Sequence, residues 1–332
     1  MSKQATKPRV RIDVLMDERD RRAALFDATF WSLRATPKEL PAVWLYDETG
    51  SRLFEHITRL PEYYLTAAER EILAERAAEI AELTQAQTLV ELGAGTSEKT
   101  LLLLDALTAA DTLEQFVPLD ASEETLRISA HTIAGRYPGI GVHAIVGDFE
   151  RHLSALPAGS NRLVAFLGST IGNLYPQRRH ELFTAVASAT GATGWFLLGV
   201  DLVKAPAVIE AAYNDPGGVT ERFVRNVFPA LNRDLHANFV SEAFAFESRW
   251  DGEAEWMDIG FRSVESQRVQ IDELEIGLEL ATDERLRIEI SAKFTPQGIE
   301  REFADAGLVA HAFWTDRRNR FGLVLARRAA AD

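Results

Sequence analysis

Between Thr88 and Val200 five short apolar runs recur, at 88–92, 115–120, 141–146, 162–167 and 195–200, with helix-patterned segments between them at Lys99 to Leu107, Glu123 to Arg136 and Gln177 to Thr190. Short apolar strands alternating with helices predict a parallel sheet with right-handed crossovers, covered on both faces. Few other architectures accept this rhythm. After Asp201 it changes: 201–231 reads as helix interrupted by Asn-Asp-Pro-Gly-Gly, and His236 to Phe294 alternates in period two (Phe244, Phe246; Ile259, Phe261; Val269, Ile271; Leu286, Ile288, Ile290). Period two predicts antiparallel strands. From Thr295 the first pattern resumes, with Thr-Pro opening a helix, Gly307 stopping it, and two strands around Phe313 and at Gly322 to Ala326.

The segment before the sheet is unlike a linker. Glu18 to Trp31 has helical apolar spacing, and Trp44, Tyr46, Phe54, Tyr63 and Tyr64 crowd the stretch that follows. Thr66-Ala-Ala-Glu69 reads as a capping box that starts a helix with Ile72, Leu73, Ile80 and Leu83 on one face. Residues 1 to about 12 are polar and basic and are expected to be a frayed tail. The organisation expected is an α/β fold in four stretches. Residues 1–65 form an N-terminal helix and aromatic segment, 66–204 the sheet domain, 205–293 an inserted α+β domain packing with the aromatic segment, and 294–332 the rest of the sheet domain.

The longest apolar runs fall far short of the ~20 residues that cross a bilayer, so no membrane span is expected. The 332 residues hold no Cys, which removes disulfides, thiol nucleophiles and thiolate metal sites. No signal peptide is visible, and a cytoplasmic location is expected. A formal charge of -14, from 36 Lys and Arg against 50 Asp and Glu, opposes a nucleic-acid backbone. The expected partner is a small molecule bound by a monomer. The seven His are scattered without metal-ligand spacing, and Ser169 lacks the second Gly of a nucleophile elbow. No metal site is expected.

The first strand-turn-helix reads Glu91-Leu-Gly93-Ala-Gly95-Thr-Ser-Glu98-Lys99. Two glycines spaced by one allow a tight turn and close backbone approach to a ligand. A dinucleotide fold would have a third Gly where Glu98 stands, and a carboxylate there repels a pyrophosphate. Glu91 instead suits a ligand carrying positive charge. Asp120 ends the second strand, where a carboxylate commonly accepts both ribose hydroxyls. Asp148 and Phe149 end the third, placed to meet adenine's amino group and face. Together these point to S-adenosylmethionine (SAM), against the plainer reading that both aspartates only cap helices.

With those residues in place, the chain resembles the L-histidine N-alpha-methyltransferases that make the trimethylated betaine leading to ergothioneine. The resemblance spans nearly the whole chain and rests on LYDETGSRLFEHITRLPEYY (45–64), LVELGAGTSEKT (89–100), GDFERHL (147–153), FLGSTIGNL (166–174), GVDLVK (199–204), IEISAKF (288–294) and FWTDRRNRFGLVLA (313–326). It implies a Rossmann-like SAM-dependent methyltransferase sheet, with the α+β substrate domain inserted before the last helix and strands. Tyr46, Gly93, Lys99, Asp120, Asp148 and Phe149 match positions that hold SAM. Tyr63, Asn173 and Tyr213 match those that orient the α-amine and carboxylate, with Gly168 and Thr170 nearby. Glu289 and Ser291 match the pair that recognises imidazole, and Phe54 a pocket wall. Ile259 falls where the family places a Met beside the substrate, with Met257 one pleat earlier.

Independently of the resemblance, side chains two apart on a strand share a face, so Glu289 and Ser291 can meet two ring nitrogens together. Period two alone also allows the opposite reading, in which Ile288 and Ile290 are buried and Glu289 is exposed. Tyr46 and Tyr63 are the expected catalytic contacts, offering oxygen or ring faces to a growing methylammonium. The function implied is stepwise methylation of L-histidine to hercynine. A methyltransferase of the same fold acting on another aromatic amino acid remains open, as does a non-catalytic SAM-binding protein.

Overall fold

A computed structural model describes residues 10–157, 159 and 161–330. The chain divides into two compact units, one of residues up to 17, 67–202 and from 294 onward, the other of 18–66 and 203–293.

The first unit is built on β1 (Val10–Val14), α3 (Leu65–Thr84, most of it here), β3 (Thr88–Leu92), α4 (Leu101–Ala109), β4 (Gln115–Asp120), α5 (Glu123–Arg136), β5 (Gly141–Val146), β6 (Arg162–Phe166), α6 (Pro176–Thr190), β7 (Trp195–Asp201), α10 (Pro296–Asp305), β13 (Leu308–Thr315) and β14 (Phe321–Arg328). They form an eight-stranded sheet in the order β1-β5-β4-β3-β6-β7-β14-β13. β1 to β7 within it run parallel, while β14 is antiparallel to β7 and β13 to β14. Every residue of β3 and β6 is buried, as expected for strands covered on both faces. The chain leaves β3 toward β4 and β5 on one side and returns to β6 and β7 on the other. The switch point therefore lies between β3 and β6, where the carboxyl ends of open α/β sheets hold their ligands.

Three expectations need correction here. Val10–Val14 is a strand paired in register with Val142–Val146, so the tail reading fails at least from Val10; residues 1–9 lie outside the described residues. α3 begins at Leu65, which puts Thr66 inside the first turn, and Glu69 reaches across to other elements instead of back to a cap. α4 begins at Leu101, not Lys99. Ser97 has φ +55°, and the Ser97 and Thr100 hydroxyls are drawn to Glu91, which keeps 97–100 as turns.

The second unit contains α1 (Glu18–Ser32), β2 (Lys38–Glu39), a 3-10 turn (Ala42–Leu45), α2 (Glu48–Ile57), α7 (Pro206–Tyr213), α8 (Val219–Arg225), α9 (Val227–Asp234), β8 (Phe244–Asp251), β9 (Trp256–Ser263), β10 (Gln267–Ile271), β11 (Ile276–Leu280) and β12 (Arg285–Ala292). A four-stranded sheet runs β2-β12-β9-β8, antiparallel except for β2 beside β12, and β10 and β11 form a separate hairpin. Phe228 of α9 stacks on Phe244 at 4.5 Å and lies 4.8 Å from Phe261, fixing the helices to one sheet face. Asp47 caps α2 through the Gly50 amide (2.9 Å) and also accepts from Asn226 (2.7 Å) and Arg233 (2.9 Å), joining α2 to α8 and α9.

β12 carries a bulge that period two does not reveal. Leu286 pairs with Phe261 and Glu289 with Ile259, and the register shifts between Arg287 and Glu289. Directly opposed residues share a face, and Phe261 and Ile259 are two apart. Leu286 and Glu289 therefore face the same side, and the expected alternation of Leu286, Ile288 and Ile290 is broken.

Candidate functional site

In the first unit, the turn after β3 is made by Gly93 (φ +65°) and Gly95 (φ +49°), a left-handed conformation that glycine adopts without a Cβ penalty. Gly93 and Ala94 donate to the Leu119 carbonyl, and Gly95 donates to Asp120 Oδ2 at 2.8 Å. Ser122 donates to Asp120 Oδ1 at 2.8 Å. Asp120 thus braces two turns, and a carboxylate with about four acceptor sites keeps capacity for ligand hydroxyls. No atom stands within 4 Å of a Cβ built on Gly95, so this turn borders open space. Asp148 accepts from the Glu150 amide at 2.8 Å, and the half-buried Phe149 ring lies 5.0 Å from Phe166. Both expected adenine contacts therefore stand at the end of β5, beside a ring anchored on β6.

Glu91 is buried beneath the same turn and accepts from Ser97 (2.7 Å) and Thr100. Burial pushes its carboxyl up to about 7, outweighing the two hydroxyl donors and the Lys99 charge. An acid poised there gains from a nearby cation, which fits the sulfonium and ammonium of SAM and would repel a pyrophosphate.

Lys99 is an ion-pair partner of Glu69, which is wholly buried and accepts the Gly168 amide with both oxygens (2.8 and 3.0 Å). Gly168 has φ +83°, and the next residue, Ser169, accepts the Asp201 amide at 2.9 Å. The Gly168-Ser169-Thr170 turn after β6 is thereby fixed from two sides. Thr170 and Asn173 bound the short 3-10 helix that follows. The spacing of Glu69 from Thr66 matches a helix cap and hides this role; its place in the stripe with Ile72 and Leu73 is the one signal of burial that the sequence carries.

In the second unit the aromatic residues converge. Tyr46 lies 5.6 Å from Phe54 and 5.3 Å from Phe223, Phe54 is 6.3 Å from Tyr63, and Tyr63 is 6.2 Å from Tyr213. All four pairs meet edge to face, which suits ring quadrupoles and leaves faces available. Tyr46 is 42% exposed as a whole, while its phenol feels Glu289, Tyr63 and Tyr213. Burial there, followed by the Glu289 carboxylate, raises the phenol well above its usual value, so it stays protonated. Phe223, from α8, had no sequence feature separating it from an ordinary core Phe.

Glu289 and Ser291 lie on one face of β12, opposite Ile259 and Met257 of β9, both fully buried. Ile259 and Met257 thus line the same face, one beside each polar residue. Tyr213 Oη stands 2.8 Å from Ser291 Oγ, and the buried Lys293 donates to both, at 2.8 and 2.7 Å. Lys293 was also missed, although it continues the i, i+2, i+4 series from Glu289. Among the described residues no cluster could hold a metal ion, and no helix is long and apolar enough to cross a membrane.

The doubly wound sheet ending in an antiparallel strand pair, with a GxG turn after β3 and acids ending β4 and β5, defines a Rossmann-like SAM-dependent methyltransferase. The family described as histidine-specific, SAM-dependent methyltransferase matches residues 26–328, and the chain belongs to that family. A histidine N-alpha-methyltransferase of Mycobacterium tuberculosis is 46% identical over 305 residues, covering 92% of this chain and 95% of that protein. One from Mycolicibacterium smegmatis is 45% identical, over 89% and 92%. Ergothioneine biosynthesis protein 1 of Neurospora crassa is 31% identical over 87% of this chain but 33% of its own length.

Proposed function

We propose that this enzyme methylates the α-amine of L-histidine, successively to the trimethylated betaine, as a small-molecule enzyme of the cytoplasm. When bound, SAM supplies an electrophilic methyl group. Asp120, Asp148, Phe149, Gly93 and Lys99 are the residues assigned to holding it, Lys99 through its pairing with Glu69.

The observation that carries the reading is the placement of Glu289 and Ser291 on one strand face beside Tyr213. A carboxylate accepts from a ring N–H and a hydroxyl serves the second nitrogen. A residue lacking those nitrogens would leave buried polar groups unpaired, which discriminates strongly between side chains. Tyr63, Tyr213 and Asn173 are assigned to the α-amine and carboxylate. Tyr46 and Tyr63 offer hydroxyl oxygens and ring faces to the nitrogen as methyl groups accumulate on it. The amine would displace the neutral thioether S-adenosylhomocysteine in line, the N–C bond forming as the C–S bond breaks, so these residues work mainly by holding the amine in an attack geometry. The amine must shed its proton first, and burial favours its neutral form.

The test is mass spectrometry of products after incubation with SAM and an equimolar mixture of the twenty amino acids. Gains of one to three methyl groups on histidine alone support the reading. Methylation of tryptophan or tyrosine instead would remove the imidazole assignment, and SAM binding without any methylation would remove catalysis.

A further inference from the structure

Lys293 is 3% exposed and directly follows the end of β12, two residues beyond Ser291, with its Nζ against Ser291 Oγ. A lysine ammonium has three donors and no acceptor. Its contacts with Ser291 Oγ (2.7 Å) and Tyr213 Oη (2.8 Å) therefore each consume a lone pair of a hydroxyl oxygen. The third side of the triangle, Tyr213 Oη to Ser291 Oγ at 2.8 Å, has one hydrogen in it, and either oxygen can supply that hydrogen.

The direction of that one bond decides what Ser291 can offer a ligand. If Tyr213 donates, both lone pairs of Ser291 are occupied and its own hydrogen points out, so Ser291 is a donor only. If Ser291 donates, one lone pair is left and it can only accept. Glu289, an acceptor, stands beside it on the strand. The two cases match different ligands: an acceptor with a donor fits a neutral imidazole, which has one N–H and one bare nitrogen. Two acceptors fit an imidazolium with two N–H groups.

We propose that Lys293 is a positioning residue that sets this polarity, making Ser291 a donor so that the subsite takes histidine with a neutral ring. A cation 2.7 Å from Ser291 Oγ opposes a second cation at the same oxygen and strengthens the O–H as a donor toward a bare nitrogen. The proposal rests on the reading of the enzyme as a histidine methyltransferase.

The experiment compares L-histidine with 2-fluoro-L-histidine, whose ring fluorine keeps the imidazole neutral throughout the neutral pH range. The proteins are the SAM-loaded wild type, K293M, S291A and the double variant. The wild type is expected to use the fluorinated substrate with KM within about tenfold of histidine. Rejection by orders of magnitude overturns the proposal, and this arm needs no variant to fold. K293M is expected to raise the histidine KM about tenfold or more, with a smaller change in kcat and an unchanged Kd for SAM, because the ring is remote from the reacting amine. Added to S291A, the same substitution should raise KM less than about twofold. An equal effect in both backgrounds overturns the proposal, since a merely structural lysine would act without Ser291. Absence of histidine methylation by SAM-bound wild type would instead overturn the reading of function itself.

Discussion

Glu69 reaches from the first turns of α3 to the Gly168 amide after β6, accepting with both oxygens at 2.8 and 3.0 Å while pairing with Lys99. One carboxylate thus ties a helix, the β3-to-α4 turn and the β6 turn together at the switch point of the sheet. Removing it strands a lysine charge and a backbone donor. Glu69→Ala is expected to destabilise the protein by about 3–5 kcal/mol, the usual cost of breaking a buried pair from one side. Urea unfolding of this variant beside Glu69→Met/Lys99→Met checks the cause: the double apolar variant should recover part of the loss.

Glu91 gives a pH signature. Its folded-state carboxyl is pushed up to about 7, from 4.5. Between those values the folded state keeps a proton that the unfolded state releases, so this contribution is complete below pH 4.5 and is lost as pH rises through 7. Relative to Glu91→Gln, wild-type stability should fall by at most about 3 kcal/mol over that window. Denaturant melts at pH 5 and pH 8 measure it, and parallel curves would refute the shift.

The proposed SAM site gives the same residue a second signature. A cation bound near Glu91 favours its ionised form, so SAM binding near pH 7 should release a fraction of a proton. Calorimetry in buffers of different ionisation enthalpy reads this directly. Glu91→Gln should abolish the buffer dependence.

Substrate and cofactor affinities should separate. Glu289→Ala is expected to raise the histidine KM about 10- to 100-fold and leave the Kd for SAM nearly unchanged, whereas Asp120→Ala should do the reverse. Equal losses of both in either variant would remove its assigned role.

Asp47 is held below the usual carboxylate range: burial opposes this, but Gly50, Arg233 and Asn226 outweigh it. Asp47→Ala removes the cap of α2, the helix that carries Phe54, at an expected cost of about 1–2 kcal/mol. Thermal melts check the cost, and histidine KM should rise with the loosened wall.

Much of the fold is legible because local periodicity and strand composition carry it. β3, β4, β5 and α5 begin and end where the apolar runs and the helical pattern place them, since a strand buried on both faces must be apolar throughout. The strand-end residues Gly93, Asp120 and Asp148 are likewise readable, because position at a carboxyl end is fixed by the strand before it. Glu69 and Lys293 were not readable in that way. Their contacts depend on partners 99 and 80 residues distant, Gly168 and Tyr213; the local pattern, an apolar stripe for Glu69 and a period-two series for Lys293, signals burial at most and names no partner.

The sequence by itself determined the parallel sheet, the interruption by antiparallel strands and the residue types at the strand ends. Only the tertiary structure decided which way Glu289 faces. Period two left Glu289 opposite the face of Leu286, and the bulge between Arg287 and Glu289 returns it to that face, across from Ile259. A bulge shifts register by one residue, and one residue exchanges the two faces of a strand. That shift depends on pairing with β9, about thirty residues earlier in the chain, so no local pattern within β12 could specify it.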